Sequence, residues 1–358
     1  MRRALALAGR GVGRTTPNPV VGACVVTDDE IVIGDGVHER AGEPHAEVHA
    51  LEEAGPLARG ATLYCTLEPC VHEGRTGPCT EKIIAAGIKR VVAAMEDPFP
   101  QVQGRGFAAL REHGIVVDVG VEREAALRLN QPFLTALRLG RPFVILKAAT
   151  SLDGRIAAGA RTRTALTSKP ANRRVQLTRA QVDAVAVGSE TVLVDDPLLT
   201  ARDVYRERPL ARVVFDRRLR TPPTARLFST LSSGPVIIVT SSHSLARSSD
   251  KPATVAALER AGATLVAVEE PTMRSALRAL VPFEIQSVLL EGGAAVQSAA
   301  WDEDVVDYVQ LYVAPISLGT HGIPLLDRRS FSIVSILEAK VELLGPDTLI
   351  EGYVHRPC

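Results

Sequence analysis

Three short segments near the start of the chain place metal-binding side chains beside a carboxylate. They are His45-Ala46-Glu47, Glu68-Pro69-Cys70 and Pro78-Cys79. One imidazole and two thiolates are a donor set for zinc, and they leave the fourth tetrahedral position open, as a catalytic site requires. Any fold of this chain must therefore bring the three segments around one ion, with Glu47 beside the open position.

This donor set indicates hydrolytic chemistry. A catalytic zinc lowers the pKa of a bound water, so that hydroxide is available near neutral pH. A glutamate that is not a ligand can then carry protons to a ring nitrogen and a leaving amine, and nucleobase deaminases use a His-x-Glu and Pro-Cys arrangement for this purpose. We therefore expect His45, Cys70 and Cys79 to hold zinc and Glu47 to be the catalytic proton shuttle.

Two other interpretations of these residues stay open at this stage. His49 lies four residues after His45 and can share its helix face, so it is an alternative ligand that would close the site. A zinc-stapled interaction protein is the non-enzymatic alternative, and the open position and Glu47 count against it. Cys24 and Cys65 lie on apolar stretches and are expected in the core.

Bulk composition narrows the class of partner. The 41 basic and 41 acidic side chains balance, and no basic stripe is visible, so a nucleic-acid partner, including an edited nucleic acid, is not expected. Neither an export signal nor a membrane-spanning apolar run is evident, and the five unevenly placed cysteines are typical of reduced thiols. We expect a soluble, cytoplasmic enzyme that acts on a small molecule, with no membrane partner.

The 358 residues are enough for two domains. Apolar strand patterns alternate with helix patterns throughout, which predicts an α/β fold in both halves. A polar helix predicted over residues 122–139 is followed by Gly140-Arg141-Pro142 and a new apolar strand from Phe143. We place the domain boundary there, giving domains of residues 1–141 and 142–358.

Longer stretches around the metal-binding segments resemble one enzyme family. Residues 16–22 read Thr-Pro-Asn-Pro-Val-Val-Gly, and residues 41–50 read Ala-Gly-Glu-Pro-His-Ala-Glu-Val-His-Ala. Eight residues separate Cys70 from Cys79, where the general deaminase pattern has about two. With these features the chain resembles the bifunctional riboflavin biosynthesis proteins, in which a pyrimidine deaminase is fused to a reductase.

The resemblance implies a fold, a substrate and an assembly. It implies a cytidine-deaminase-like three-layer α/β/α domain followed by a dihydrofolate-reductase-like α/β domain. The deaminase substrate would be 2,5-diamino-6-(5-phosphoribosylamino)pyrimidin-4-one, with Asn18 and His38 contacting its base. The reductase would then use NADPH to convert the ribosyl group to ribityl. A homodimer or higher homo-oligomer is expected, formed through the reductase half.

The resemblance continues through residues 146–155, 188–202 and 291–293. It implies NADPH contacts and contacts to the ribosyl substrate in the second half. The cofactor contacts would be Thr150, Ala165, Thr191, Asp195, Arg217 and Gly293. The substrate contacts would be Arg163, Arg179, Leu199, Arg202 and Glu291. Bare amides at Gly292-Gly293, before a predicted helix, suit a cofactor phosphate, and the arginine forks of Arg179 and Arg202 suit the ribose phosphate.

Four positions depart from the family pattern in this half. Arg163 stands where a substrate-contacting serine is usual, and Ala165 where a tryptophan packs on the cofactor. Asn172 replaces a common arginine, and Arg217 replaces a small hydroxyl residue. Loss of an indole contact costs about 1–3 kcal/mol. An active deaminase with an altered or inactive reductase, in a related pyrimidine-derived pathway, is therefore the alternative hypothesis.

Overall fold

The computed structural model describes residues 1–71, 77–246, 252–326 and 336–356. Residues 72–76, within the long insert between the two cysteines, lie outside the described residues. The chain divides into two compact units, Met1–Arg138 and Leu139–Arg356. The predicted domain boundary after residue 141 lies close to this division and stays a prediction. Each unit is described by itself.

The first unit contains a five-stranded sheet in the order β2-β1-β3-β4-β5. The strands β1 and β2 form an antiparallel hairpin, β3 is antiparallel to β1, and β3, β4 and β5 run parallel. The elements in chain order are α1 (Arg2–Gly9), β1 (Gly22–Val26), β2 (Val32–Val37), α2 (Ala46–Ala54), β3 (Thr62–Cys65), α3 (Cys79–Ala86), β4 (Arg90–Ala93), α4 (Arg105–Glu112), β5 (Val116–Val119), α5 (Arg123–Leu129) and α6 (Gln131–Leu139), with a 3₁₀ turn at Gly55–Ala58.

Glycines let helices approach both faces of this sheet. A Cβ on Gly36 would lie 1.8 Å from the carbonyl oxygen of Ala46 in α2, and one on Gly22 would lie 2.1 Å from that of Ala4 in α1. Ala23 is paired directly with Gly36, so the two face the same side, while Gly22, its neighbour along the strand, faces the other. The helices α1 and α2 therefore cover opposite faces, which gives the predicted three-layer arrangement.

The predicted single helix over residues 122–139 is wrong, because the chain breaks at Asn130 into α5 and α6. The Asn130 side chain accepts a hydrogen bond from the Val20 amide at 2.8 Å and donates one to the Val20 carbonyl at 3.1 Å. The Asn130 amide thus forms a pair of hydrogen bonds with the backbone of a distant segment, as a neighbouring strand does. Asparagine commonly makes such side-chain-to-backbone bonds, and they compete with a continuous helix.

The second unit contains a nine-stranded sheet in the order β11-β10-β9-β8-β12-β6-β13-β16-β15, and a short ladder between β7 and β14. The elements in chain order are β6 (Phe143–Ser151), β7 (Arg155–Ala157), α7 (Lys169–Gln181), β8 (Ala184–Gly188), α8 (Ser189–Asp195), β9 (Ala211–Phe215), β10 (Val236–Ser241), α9 (Ser242–Ala246), α10 (Pro252–Arg260), β11 (Ala263–Val268), α11 (Met273–Arg278), β12 (Ser287–Leu290), α12 (Ala294–Asp302), β13 (Tyr308–Ala314), β14 (Ile323–Pro324), β15 (Leu337–Leu344) and β16 (Asp347–Tyr353), with 3₁₀ turns at Arg226–Ser233 and Val281–Phe283.

In the order of the sheet, all strands from β11 through β9 and β6 to β13 run parallel, and β16 and β15 add an antiparallel edge. Both faces of the parallel part are covered. In β8, Ala184 and Ala186 pack into one apolar cluster, while Val185 and Val187 pack into another on the opposite face. Every residue of β8 is buried, as in a parallel sheet enclosed by helices. The carboxyl ends of these strands therefore form one edge on which side chains from many segments meet.

The predicted alternation of helices and apolar strands is confirmed in both units, as is the helix predicted after Gly293, which is α12. The sheet orders agree with the two predicted α/β folds. In the described part of the chain, no helix is long and apolar enough to cross a bilayer.

We expect Gly36→Ala to lower the free energy of unfolding of the first unit by at least about 2 kcal/mol, because the added methyl group would overlap a backbone carbonyl that cannot move independently. Gly9→Ala is the matched control, since its Cβ would meet nothing within 4 Å and alanine is favoured in a helix. Chemical denaturation of both variants measures the difference. Equal stability of the two variants would contradict close packing at Gly36.

Candidate active sites

The three predicted metal-binding side chains converge in the first unit. His45 caps the start of α2, Cys79 is the first residue of α3, and Cys70 lies in the loop after β3. His45 Nδ1 lies 3.2 Å from Cys79 Sγ and 3.5 Å from Cys70 Sγ, and all three donor atoms lie within 4.8 Å of one another. Tetrahedral zinc holds such atoms about 3.5–3.8 Å apart, so the residues fit this ion.

His49, the alternative ligand, does not belong to this group. Among the described residues, the one cluster of potential metal donors consists of His45, Cys70 and Cys79. Three donors leave a coordination position for water or substrate, as in catalytic zinc sites. The structure thus brings together the predicted ligand set and leaves the alternative out.

The two thiols of the cluster act electrostatically as a pair. A hydrogen bond from Cys79, and then one from His45, lower the pKa of the Cys70 thiol to about 4, although burial opposes this. The hydrogen bond with Cys70 and burial together raise the pKa of Cys79 well above its usual value. Binding of a divalent metal would deprotonate both sulfurs.

Glu47 is the second residue of α2, in the first turn of the helix, and it points into the same site. Its side chain is buried, and burial raises the pKa of its carboxyl group to about 7. Its Oε2 atom has no hydrogen-bond partner among the described residues. A buried acceptor without a partner is costly unless a ligand or water meets it. This geometry fits a group that takes up and releases a proton.

Glu47, His45 and Cys70 line a cavity of about 400 Å³ together with the two predicted base contacts, Asn18 and His38. The Nδ1 atom of His38 lies 3.1 Å from the Pro44 carbonyl, which can only accept, so Nδ1 carries the proton. The other nitrogen, Nε2, therefore accepts a hydrogen bond from Asn18 Nδ2 at 3.0 Å. His38 thus fixes the orientation of the Asn18 amide, whose oxygen remains as an acceptor.

Sequence reasoning assigned no role to Glu68, although it belongs to the Glu-Pro-Cys segment. Its buried carboxylate accepts four backbone N–H bonds, from Asp97 at 3.2 Å, Gly104 at 3.0 Å, Gly106 at 2.8 Å and Phe107 at 3.2 Å. The loop it gathers carries Phe99 and Val102, which line the cavity. Glu68 is therefore a positioning residue for one wall of the site.

In the second unit, a cavity of about 240 Å³ collects all five predicted substrate contacts. They are Arg163, Arg179, Leu199, Arg202 and Glu291. Asp195, predicted to contact the cofactor, lies among them, and Arg226 lines the cavity without having been predicted. Four arginines, one of them on α7 and one at the start of a 3₁₀ turn, thus face one small space.

Arg179 is not free to bind an anion with its whole fork. Its Nε and Nη2 atoms donate to Glu291 at 2.6 and 2.7 Å, and its Nη1 atom donates to the Thr200 carbonyl at 2.8 Å. Both side chains are nearly buried, with exposures of 11% and 8%. Such a bidentate pair compensates the cost of burying each charge and holds both groups in place. The predicted role of Arg179 as a phosphate partner therefore has to compete with this pair.

Lys147 on β6 is a half-buried basic side chain near this pair. Its Nζ atom lies 5.7 Å from the centre of the Tyr312 ring. Burial lowers the pKa of Lys147, and the Glu291 carboxylate partly opposes this effect. The sequence placed Lys147 in a matching stretch but gave it no role.

A larger cavity of about 410 Å³ contains three of the predicted cofactor contacts, Thr191, Arg217 and Gly293. Gly293 caps the start of α12 as expected, and Thr191 lines both cavities of this unit. Thr150 is buried on β6 and Ala165 is exposed, and neither lines either cavity. Asn172, which departs from the family pattern, donates at 3.0 Å to the carbonyls of both Thr167 and Ser168.

Comparisons with known proteins agree with this geometry. The family model for the cytidine and deoxycytidylate deaminase zinc-binding region matches residues 1–95, and the model for the RibD C-terminal domain matches residues 142–350. The riboflavin biosynthesis protein RibD of Aquifex aeolicus is 39% identical, over 98% of this chain and 96% of its own length. The chain belongs to the RibD family.

Other relatives lead to the same family. RibD of Escherichia coli is 42% identical over 89% of this chain and 88% of its own. The structure of Acinetobacter baumannii RibD superposes with a TM-score of 0.84 at 36% identity, covering 98% of this chain and 96% of that one. A Thermotoga maritima structure, described as a diaminohydroxyphosphoribosylaminopyrimidine deaminase and 5-amino-6-(5-phosphoribosylamino)uracil reductase, gives 0.83 at 36% identity, covering 100% and 97%.

Membership in the RibD family confirms the predicted fold class and the bifunctional character of the chain. It is a zinc-dependent deaminase and an NADPH-dependent reductase of riboflavin biosynthesis. The cluster of His45, Cys70 and Cys79 fits the zinc site of the deaminase part.

We expect Glu68→Gln to destabilise the first unit by about 2–4 kcal/mol, because an amide offers one acceptor oxygen in place of two charged ones to four backbone donors. Glu52→Gln, on the exposed side of α2, is the matched control. Thermal unfolding measures stability, and metal analysis of the folded protein should show unchanged zinc. Loss of zinc without loss of stability would contradict a role limited to positioning the loop.

Proposed function

We propose that residues 1–141 deaminate 2,5-diamino-6-(5-phosphoribosylamino)pyrimidin-4-one and that residues 142–358 reduce the ribosyl group of the product to ribityl with NADPH. The description of the Thermotoga maritima relative names this pair of activities. The observation that supports the first activity best is the buried Glu47 carboxylate beside the three zinc donors, whose Oε2 has no hydrogen-bond partner among the described residues.

The deaminase residues have distinct roles in this proposal. Zinc, when bound, supplies an acidified water for attack on the ring carbon that carries the amino group. Glu47 would carry one proton from the attacking water to the adjacent ring nitrogen and the second proton from the same oxygen to the leaving amine, so that a ring carbonyl forms and ammonia departs. The Asn18 amide oxygen, oriented by His38, accepts a hydrogen bond from the base. The apolar side chains of Val102 and Phe133 exclude water from the ring.

The reductase residues divide in a similar way. The Arg179–Glu291 pair is held rigidly at the wall of the smaller cavity, where Glu291 can orient ribose hydroxyls. Arg202 and Arg226 line the same cavity and have no side-chain hydrogen bond or ion pair within the described ranges, so they suit the ribose phosphate. Arg163, in the position of the usual serine, adds a third guanidinium. Thr191 lines both cavities, so NADPH, when bound, would supply hydride to the opened ribose carbon beside this residue.

We expect Glu47→Gln to keep zinc and to stop ammonia release, since an amide cannot carry the proton, with a fall in rate of at least about a hundredfold. Hydride transfer to substrate that is already deaminated should be unchanged. Ammonia release and NADPH oxidation are followed separately on the phosphoribosylated diaminopyrimidinone, with Glu52→Gln as the control.

The wild-type protein in the same assay tests the whole function. Ammonia release together with NADPH oxidation is the expected result. Ammonia release alone would show that the reductase half is altered. This is the alternative hypothesis based on the departures at Arg163 and Ala165. Ammonia release by Glu47→Gln at the wild-type rate would remove the proton shuttle from the mechanism.

We further propose that the chain forms a homodimer through the reductase half. The strand β15 lies at the edge of the nine-stranded sheet, and Val341 and Leu343 on one of its faces are 67% and 77% exposed. An edge strand with apolar exposed side chains is a ready site for pairing with a second copy.

We expect Val341→Lys/Leu343→Lys to convert the dimer to a monomer, because the new ammonium groups of the two protomers would be buried against each other at the two-fold axis. Light scattering after gel filtration measures the mass, and Lys340→Gln on the same strand is the control. A wild-type monomer, or a dimer that survives the double substitution, would place the interface elsewhere or exclude it.

A further inference from the structure

The deaminase cavity of about 400 Å³ has polar and apolar parts in its wall. The polar groups Asn18, His38 and Glu47 are the ones that the proposed reaction uses. A flat heterocycle carries its hydrogen-bonding groups at its edge, so its faces must meet apolar or aromatic side chains. Among the described residues, the wall contains two aromatic rings besides the histidines, those of Phe99 and Phe133. Phe133 excludes water in the proposed function, whereas the reaction as proposed leaves Phe99 unused.

Phe99 lies in a tight turn whose backbone is held on both sides. Its amide donates to Asp97 Oδ1 at 2.8 Å, and its carbonyl accepts from the amides of Val102 at 2.8 Å and Gln103 at 3.0 Å. The Phe99 side chain is half-buried and lines the cavity. A fixed backbone and partial burial leave the ring few orientations, so ordering it on binding costs little entropy.

This turn is tied to the segment that carries a zinc ligand. Glu68 accepts from the Asp97 amide at one end of the turn and from the Gly104 amide at the other end. Glu68 lies only two residues before Cys70, one of the three metal donors. The carboxylate therefore sets the place of the Phe99 ring relative to the metal. Because the carbon that is attacked must lie beside the metal, a ring held in this way is placed at the reacting end of the base.

Phe133 is tied to a different segment of the cavity wall. It lies in the first turn of α6, which starts directly after Asn130, and the Asn130 side chain is bonded to the backbone of Val20. Val20 lies two residues after Asn18, the predicted contact to the base. The two phenylalanines are thus in register with different parts of the base, Phe133 with its hydrogen-bonded edge and Phe99 with the carbon that loses the amino group.

We propose that Phe99 is a specificity-determining residue of the deaminase and that its ring stacks on the face of the pyrimidine base. The inference rests on the proposed deaminase function and names the contact by which that site selects a flat, conjugated ring. Offset stacking stabilises a pair of aromatic rings beyond the area that it buries. Replacing a stacking side chain by alanine weakens base binding by about fivefold to about a hundredfold.

Stacking of this kind contributes to binding and not to the rate of the chemical step. When water adds to the ring carbon, that carbon becomes tetrahedral and the ring loses part of its conjugation. The contact with Phe99 is then no stronger in the transition state than in the bound substrate. An interaction that does not strengthen in the transition state lowers KM without raising kcat. A turn that merely positioned the zinc ligand would act on kcat instead, so the two roles are separable.

Steady-state ammonia release over a range of substrate concentrations tests this assignment, with the wild type, Phe99→Leu, Phe99→Tyr and Phe283→Leu. Leucine keeps an apolar side chain without a π face, and tyrosine keeps the ring. Phe283 is 40% exposed on a 3₁₀ turn of the second unit and lines none of the three cavities, so it is the matched control. Thermal unfolding and metal analysis verify that each variant is folded and holds zinc. The inhibition constant of the deaminated product, measured without NADPH, reports binding independently of the rate.

We expect Phe99→Leu to raise KM and the product inhibition constant by at least about fivefold, with kcat within about twofold of wild type. Phe99→Tyr and Phe283→Leu should match the wild type within about twofold. A fall in kcat without a rise in KM would make Phe99 a positioning residue of the loop and overturn the assignment. Unchanged kinetics, or an equal loss in the tyrosine variant, would also overturn it. A wild-type protein that releases no ammonia would instead overturn the proposed deaminase function itself.

A pair of small inhibitors tests the contact without a variant, in case Phe99→Leu does not fold. Uracil and 5,6-dihydrouracil carry the same hydrogen-bonding groups, but only uracil is flat and conjugated throughout. Uracil should inhibit wild-type ammonia release at least about threefold more strongly than 5,6-dihydrouracil. An absence of this preference overturns the assignment.

Discussion

The close packing of α2 against β2 fixes the geometry of the deaminase site. Gly36 allows the backbone of α2 to approach the sheet without a Cβ between them, and His45 and Glu47 lie at the start of that helix. Because both side chains come from one helical turn, the position of the helix sets the position of ligand and carboxylate together. The sulfurs of Cys70 and Cys79 arrive from separate segments, so only the folded sheet brings them within reach of His45.

Buried charges in the two units separate into two kinds. The Glu68 carboxylate and the Arg179–Glu291 pair are fully compensated, and they hold loops in place at the walls of cavities. Glu47 lacks a partner on one oxygen. A buried charge with a full set of partners holds the structure in place, because moving it would leave those partners buried and unpaired. A charge left uncompensated at a cavity wall is the kind available to a ligand.

The sequence predicted the metal cluster and most elements because these depend on local pattern and residue chemistry. Two thiols, an imidazole and a nearby glutamate define the zinc chemistry wherever the fold places them. The break at Asn130 and the pairing of Arg179 with Glu291 depend on partners more than a hundred residues away. No periodicity carries that information. The resemblance grouped Arg179 with residues that line one cavity, but only the structure gives the state of its guanidinium group.

Two of the positions that depart from the family pattern, Arg163 and Arg217, line cavities of the second unit. Each places a guanidinium group at a cavity wall, whereas Ala165 is exposed and lines neither cavity. Arg163 also acts on Asp195, where it opposes the rise in pKa that burial causes. A phosphorylated ligand in either cavity would therefore meet an ionic contact. Because salt screens interactions between exposed charges, the affinity of these cavities for phosphorylated ligands should fall as ionic strength rises.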